Sequence, residues 1–262
     1  MRLSSLPSLQ LLAATSLAAL IATSGTSACA DDLKVFAAGA IAPVVRTVAA
    51  DFEQRSGIHV TVENATGGAM EKRIRSGAAF DVAVVPDGVL NSLGKDAYLD
   101  AASTRNIARV GIAVAVKQGA PAPAIATVAQ FRKALLDAPS VAVIDPKAGG
   151  SSGIYLEKLF EKLGIAAQMH AKEVLVPGGL VAEKLVDGSA ALALHQQSEI
   201  LQVKGARLVG PLPAAVQNYT VYAGAVSSRT ASSATARAFL TMFADTRARQ
   251  AMKEHGLSPQ AD

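Results

Sequence analysis

The chain has 262 residues and a formal charge of +4, from 25 Lys and Arg against 21 Asp and Glu. This length can bury a substantial core, either in one large domain or in two small lobes. The basic residues are scattered and aromatic residues make up only 4% of the chain, with no Trp. These features argue against a nucleic-acid-binding surface and against a carbohydrate receptor that stacks sugars on aromatic rings.

The first 30 residues have the order of a secretory signal peptide. Arg2 supplies the positive region, Leu11–Ala22 is an uncharged apolar stretch, and Ala28-Cys29-Ala30 is a small-residue cleavage site. The apolar stretch is shorter than the roughly 20 residues that span a bilayer, so a membrane anchor is the weaker alternative. We predict export to the periplasm and a mature chain that begins at residue 31.

Cys29 is the single cysteine of the chain and lies inside the predicted signal peptide. Cleavage after Ala30 would leave a mature chain with no disulfide, no thiol chemistry and no cysteine metal ligand. Lipidation of Cys29 is the second possibility, but Thr26-Ser27-Ala28 lacks the leucine usual three residues before a lipidated cysteine. Soluble secretion is therefore the prediction.

Short apolar runs alternate with amphipathic stretches through the rest of the chain. The predicted strands cover 33–38, 58–62, 82–85, 110–116, 141–144, 172–176, 190–194 and 221–226. The predicted helices cover 40–56, 69–77, 128–136, 151–163, 180–186, 231–243 and 247–255. This alternation indicates an α/β fold with mostly parallel sheets covered on both faces by helices. The one linker-like patch, Gly119–Pro123, is too short to separate independent domains, which favours two lobes joined by crossing strands.

Four glycine-rich loops each follow a predicted strand and open a helix. They contain Ala38-Gly39-Ala40, Thr66-Gly67-Gly68, Gly149-Gly150-Ser151-Ser152 and Gly178-Gly179. A helix N-terminus offers unpaired N–H groups and the positive end of the helix dipole to an anion, and glycine allows a ligand to approach the backbone. Each loop alone is typical of an ordinary turn and cap. Four of them, two in each half, indicate a shared anion site between the lobes, at the carboxyl ends of the strands.

Six short motifs follow one another from the first strand to the second half of the chain. They are Phe36-Ala37-Ala38-Gly39-Ala40, Phe52–Gly57, Ser76–Val82, Asp145-Pro146, Ser152–Tyr155 and Leu163-Gly164. In this order they resemble the periplasmic molybdate-binding proteins and their relatives, over essentially the whole mature chain. The resemblance implies a two-lobed periplasmic binding protein, with lobe I from 31–110 plus 222–262 and lobe II from 111–221. It also implies a ligand that is trapped when the lobes close about a hinge.

The sequence departs from that family at the ligand contacts. Molybdate binders typically have serines where this chain has Gly39-Ala40 and Thr66-Gly67-Gly68, and a tyrosine near His195 or Gln196. Ser152 and the Gly179-Leu180 turn match other contacts of the family. Backbone donors therefore remain for a tetrahedral oxyanion, and the smaller side chains equally leave room for a small organic carboxylate that His195 and Gln196 would suit.

We predict an extracytoplasmic solute-binding protein that delivers a small anionic solute to the membrane permease of an ABC importer. It is predicted to be a monomer without enzymatic activity, cofactor or nucleic-acid partner. The predicted ligand-binding residues are Ala38, Gly39, Ala40, Thr66, Gly67, Ser151, Ser152, Gly179, Leu180, His195 and Gln196. No metal site is predicted, because the four His residues lack metal-ligand spacing.

Two alternatives remain beside the importer receptor. Gly149-Gly150-Ser151-Ser152-Gly153 matches the G-x-S-x-G pattern of serine hydrolases, and Asp187 and His195 follow in hydrolase order. The predicted strand ends near Ile144, too early for a nucleophile elbow at Ser151. The other alternative is a sensor or adhesin on the same fold. Arg73 and Arg75 are expected to be solvated or to reach an anionic ligand across the cleft.

Overall fold

The computed structural model describes residues 32–260, so the predicted signal peptide and Cys29 lie outside the described residues. The strands are β1 Leu33–Ala38, β2 Val60–Ala65, β3 Val82–Pro86, β4 Leu99–Lys117, β5 Val141–Ile144, β6 Glu173–Val176, β7 Leu192–Gln196, β8 Ala206–Pro211, β9 Tyr219–Ser227 and β10 Ser258–Pro259. The helices are α1 Ala42–Ser56, α2 Gly67–Arg75, α3 Asp87–Lys95, α4 Val128–Asp137, α5 Ser151–Lys162, α6 Ala166–His170, α7 Glu183–Val186, α8 Gln197–Ile200, α9 Ser233–Thr241 and α10 Thr246–Glu254.

The strands are joined in the order β2-β1-β3-β9-β4-β7-β5-β6, and β8 and β10 pair with β4. The pairs β1–β2, β1–β3, β5–β6 and β5–β7 are parallel. The antiparallel pairs within residues 32–260 all involve β4 or β9. The first part of β4 pairs with β9 and its last part with β7 and β8, so it crosses from one lobe to the other. The predicted two-lobed α/β fold is confirmed, and its strand pairing is mixed, with four parallel and five antiparallel pairs within residues 32–260.

Buried apolar residues form three clusters. One takes its members from residues 33–110 and 222–257, and the other two take theirs from residues 112–216. The last part of β4 supplies alternate residues to the two faces of its sheet, with Ile112 and Val114 in one cluster and Ala113 and Ala115 in the other. Both faces of this sheet are therefore covered, as the apolar runs of the sequence indicate.

The long strand β4 begins well before the predicted residue 110. Residues 100–106 are mostly exposed and polar, and the pairing with β9 shifts register between Asp100 and Arg105. Because this first part of the strand is irregular and faces solvent, it has no pattern of apolar residues from which a strand could be predicted. No helix within residues 32–260 combines the length and the apolar character needed to cross a membrane.

Candidate functional site

A cavity of about 480 Å³ lies between the lobes, at the carboxyl ends of their strands. The loops that open α1, α2 and α5 line it, so the positive ends of three helix dipoles lie at one cavity. Most of the predicted ligand-binding residues line this cavity, namely Ala38, Gly39, Ala40, Thr66, Gly67, Ser151, Gly179, Leu180, His195 and Gln196. Ser152 does not: its side chain is fully buried, and its hydroxyl has no hydrogen-bond partner within residues 32–260.

Five polar side chains outside the predicted set also line the cavity, namely Arg46, Asn64, Glu199, Gln202 and Tyr222. Arg46 is exposed, donates a hydrogen bond to Asn64, and forms no ion pair within the described part of the chain. It is the one Lys or Arg among the described lining residues. An anion entering the cavity therefore meets a positive charge.

Glu199 and His195 form a buried pair at the wall of the cavity. His195 lies in β7 and Glu199 in α8, the helix that follows it directly, so the two side chains are four residues apart. His195 Nε2 lies 3.2 Å from Glu199 Oε2, and the side chains are only 3% and 11% exposed. In the described residues, His195 Nδ1 has no hydrogen-bond partner.

Burial favours the neutral form of both members of this pair. It lowers the pKa of His195 from its ordinary 6.5 to about 3 and raises the pKa of Glu199 from 4.5 to about 8. Each shift comes from loss of solvation and leaves the imidazole and the carboxyl mostly uncharged at pH 7. Strongly shifted groups in a cleft are typical of sites that transfer protons.

The absence of a side chain at Gly39 makes room for Glu199. A Cβ at position 39 would lie 2.6 Å from Glu199 Oε1. Glu199 lies in α8 next to Ile200, which belongs to a cluster from residues 112–216, and Gly39 lies between β1 and α1, next to residues of the cluster from 33–110 and 222–257. One oxygen of the carboxyl thus faces lobe I and the other faces His195, so the pair lies where the two lobes meet.

A second polar group at the cavity connects α5 with β7 and β9. Gln196 Nε2 donates to Ser151 Oγ at 2.7 Å and to Thr220 Oγ1 at 3.2 Å. The Tyr222 hydroxyl also hydrogen-bonds with Ser151, and burial, its largest influence, raises the pKa of Tyr222 far above its usual value. Thr220 Oγ1 also donates to Ser151 Oγ at 3.2 Å, and these bonds fix Ser151 at the first turn of α5.

The second predicted loop, Thr66-Gly67-Gly68, has one side-chain hydroxyl, and that hydroxyl forms hydrogen bonds within the protein. Thr66 Oγ1 accepts from Ala69 N, which makes Thr66 the N-cap of α2, and it donates to Ala148 O of the other lobe. The Thr66 hydroxyl is therefore occupied, although its backbone lines the cavity. Sequence spacing does not reveal such a contact between distant loops.

The Gly149–Gly153 segment packs α5 against the end of β5. A Cβ at Gly153 would lie 2.3 Å from Ile144 O, and one at Gly150 would lie 2.4 Å from Ile144 Cγ2. The glycines therefore permit a close helix–strand contact. A turn of 3₁₀ helix at Pro146–Ala148 separates β5 from Ser151, so the strand does not lead directly into a nucleophile elbow.

We expect Gly153→Ala to lower the free energy of unfolding by about 1–3 kcal/mol, because the new methyl group would overlap a backbone oxygen. Urea denaturation followed by circular dichroism measures this change. Gly94→Ala is the matched control, since a Cβ at this other helical glycine meets nothing within 4 Å. Equal stability of Gly153→Ala and the wild type would contradict the packing role.

The remaining sequence candidates lie outside the cavity. Asp187 bonds to Lys184 and Ser189 while His195 contacts Glu199, so the hydrolase triad is not assembled. Arg73 pairs with Glu63 and lies over the Phe36 ring. Arg75 pairs with Glu71 and Asp96. Neither arginine lines the cavity.

Comparison with known proteins supports the two-lobed fold. A sequence profile of the family described as bacterial extracellular solute-binding protein matches residues 33–258. The chain is also similar to an aconitate isomerase from a Pseudomonas species, with 31% identity over 233 residues that cover 87% of each protein. At this coverage, the similarity extends across both lobes.

Solved structures with the same fold include two oxyanion-binding proteins. The chain is similar to the periplasmic molybdate-binding protein of Azotobacter vinelandii, with a TM-score of 0.72, 19% identity, and coverage of 88% of this chain and 100% of that chain. It is also similar to the sulfate-binding protein SubI of Mycobacterium tuberculosis, with a TM-score of 0.70, 15% identity, and coverage of 87% and 86%. At these identities the likeness concerns the fold alone.

Proposed function

We propose a function from one premise: this chain belongs to the family of bacterial extracellular solute-binding proteins. The proposed ligand is a small organic anion with two or more carboxylates, bound in the cleft between the lobes. The proposed activity is isomerisation of that anion by proton transfer at carbon, and the similarity to a protein named aconitate isomerase supports an isomerase activity. The observation that carries this proposal is the buried His195–Glu199 pair at the cavity wall.

The pair suits an anionic substrate because its members are neutral when no proton is being transferred. An ionised Glu199 would repel a carboxylate, whereas a pKa of about 8 keeps most of it protonated at pH 7. A site that only binds an anion gains nothing from a buried carboxyl group, because burying such a group costs free energy. A role in proton transfer would account for the buried Glu199, since a general acid–base catalyst works best when its pKa lies near the working pH.

The reaction requires only movement of a proton and of a double bond. Aconitate is an alkene with three carboxylates, one of them attached through a methylene group. A base removes a methylene proton, and the electron pair spreads over the adjacent double bond and carboxylates. The conjugate acid then returns a proton to the former alkene carbon, and the double bond shifts by one position. One C–H bond breaks and one forms, with no net oxidation and no external reagent.

The cavity residues divide these tasks by their chemistry. Ionised Glu199 takes the proton and, once protonated, returns it to the other carbon. His195, through Nε2, positions the carboxyl group. The N–H groups at the opening of α5 and the exposed Arg46 are suited to hold the substrate carboxylates, whereas the N–H groups of Gly39, Ile41 and Ala42 at the opening of α1 already donate to backbone carbonyls. Tyr222 stays protonated, so its hydroxyl remains a hydrogen-bond donor to developing negative charge.

A second candidate function is the receptor of an ABC importer in the periplasm, which fits the family. The convergence of three helix openings on one cavity favours it, because such openings bind oxyanions and carboxylates without any reaction. A receptor of this kind would act as a monomer, pass its solute to a membrane permease and release it unchanged. Binding with turnover would therefore support the isomerase, and binding without turnover would support the receptor.

The test is incubation of the purified protein with trans-aconitate that carries deuterium at its methylene carbon. We expect the cis isomer to form with one of the two methylene deuterium atoms lost to solvent or moved to the former alkene carbon, and with the other kept on the carbon that becomes part of the new double bond, as followed by nuclear magnetic resonance. Rotation about the double bond would leave the deuterium in place and contradict proton transfer. Stabilisation by trans-aconitate without turnover would favour the receptor, and ligand at a hundred times its Kd adds about 2.7 kcal/mol.

A further inference from the structure

Two glycine pairs of the sequence, Gly67-Gly68 and Gly149-Gly150, meet across the mouth of the cleft. The Gly68 N–H donates to Gly149 O at 3.0 Å, and the Thr66 hydroxyl donates to Ala148 O. The first pair opens α2 after β2, and the second precedes α5 after β5. The loops that lead out of two distant strands are thus hydrogen-bonded to each other.

This contact joins the two parts of the fold that β4 connects. β2 and β5 lie six positions apart in the strand order. β9 pairs with residues 99–111 of β4 and β7 pairs with residues 112–115, so β2 and β5 are joined through different parts of this long strand. Direct backbone contact between their loops therefore closes the cavity on the side where the strands end.

Glycine is needed on both sides of the contact. A Cβ at Gly68 would lie 2.8 Å from the Cα of Gly149, and a Cβ at Gly149 would lie 2.7 Å from the Cα of Gly68. The opposing atoms belong to backbone, so no side chain can rotate away to relieve the overlap. Any larger residue must separate the loops.

We propose that Gly68 and Gly149 form a clasp that sets the spacing of the lobes in the closed protein. Both are positioning residues, because they act through the two loops and not by contact with a ligand. The clasp uses the Gly68 N–H and the Thr66 hydroxyl, so these two donors hold the lobes together and are not available to an anion. This role goes beyond the proposed function, since it applies equally to a receptor and to an isomerase.

Gly68 is the better position for a test. Gly149 has a φ of +72°, so any substitution there adds backbone strain to the loss of the contact. Gly68 lies in the first turn of α2, where Ala and Leu are better helix formers than glycine. Gly88 in the first turn of α3 is the matched control, because a Cβ there meets nothing within 4 Å.

The experiment compares Gly68→Ala, Gly68→Leu, Gly88→Leu and the wild type by small-angle X-ray scattering and by calorimetric titration with trans-aconitate. We expect Gly68→Leu to have a larger radius of gyration than the wild type. We also expect Gly68→Ala to raise the Kd for trans-aconitate at least tenfold without loss of stability. Gly88→Leu should behave as the wild type in both measurements.

Unchanged radius and unchanged affinity in both Gly68 variants would overturn the clasp. If the wild type does not bind trans-aconitate, the proposed ligand class fails, and the scattering comparison alone then decides the clasp. Gly68→Ala adds only a methyl group to a helix, so it keeps the test decisive if Gly68→Leu fails to fold.

Discussion

Glu199→Gln is expected to lower the turnover of trans-aconitate by roughly 10²- to 10⁴-fold, the usual contribution of a general acid–base group. Glutamine keeps the size of the side chain and a hydrogen-bonding group near His195 Nε2, but it cannot take a proton from carbon. The Kd for trans-aconitate should change little, because the neutral carboxyl and the amide are both uncharged. Single-turnover kinetics and calorimetric titration measure the two quantities separately.

A control variant and a pH profile test the role of Glu199 more specifically. Glu183→Gln, which changes an exposed carboxylate outside the cavity, should leave turnover unchanged. In the wild type, kcat/KM should rise with pH and level off above about pH 8, since the reactive form of the free enzyme has Glu199 ionised. Turnover by Glu199→Gln within twofold of the wild type would remove Glu199 from the mechanism.

Much of the fold is readable from residue patterns, because local signals and burial agree. Helix α1 follows from Val44, Val45, Val48 and Phe52, all buried on one face, and its end follows from Gly57, which has a φ of 74°. Such a left-handed residue after the last turn is the usual place of glycine. The residues that form the apolar pattern are the ones that are buried, so the sequence alone is sufficient to predict helix α1.

Other elements are hidden because their stability comes from tertiary pairing. The start of β4 is polar and irregular, yet β9 pairs with it through a shifted register. Helix α3 begins directly at Asp87 after Pro86 and buries only Leu90 and Leu93. A short helix with two buried side chains gives a weak periodic signal.

The candidate site also contains residues that the sequence predicts and residues that depend on contacts between the lobes. The glycine loops could be predicted because strand ends and helix openings meet at one edge of a parallel sheet. Glu199 could not, because its significance comes from burial against Gly39 of the other lobe. Tyr222 lies in a strand that was predicted, but which of its side chains face the cavity depends on how the two lobes pack. Local sequence patterns do not predict contacts between the lobes, so they do not identify these two residues.

The stability of the ligand-free protein is expected to vary with pH because the fold keeps both members of the pair neutral. The folded pKa of Glu199 is raised from 4.5 to about 8, so its contribution is present below pH 4.5 and is lost as pH rises to about 8. The folded pKa of His195 is lowered from 6.5 to about 3, so its contribution is present above pH 6.5 and is lost as pH falls. Between pH 4.5 and 6.5 the two effects oppose each other.

The wild type should therefore lose stability from this pair on both sides of a plateau, by up to about 1.4 kcal/mol per pH unit. Urea denaturation at intervals from about pH 3 to pH 9 measures this dependence. Glu199→Gln should remove the loss between pH 6.5 and 8, because glutamine has no proton to release, and the loss on acidification should then begin below pH 6.5. His195→Gln should remove the acid loss, and the alkaline loss should then begin above pH 4.5. If Glu199→Gln retained the full alkaline loss, that loss would not come from Glu199, and a raised pKa of its carboxyl could not be part of the mechanism.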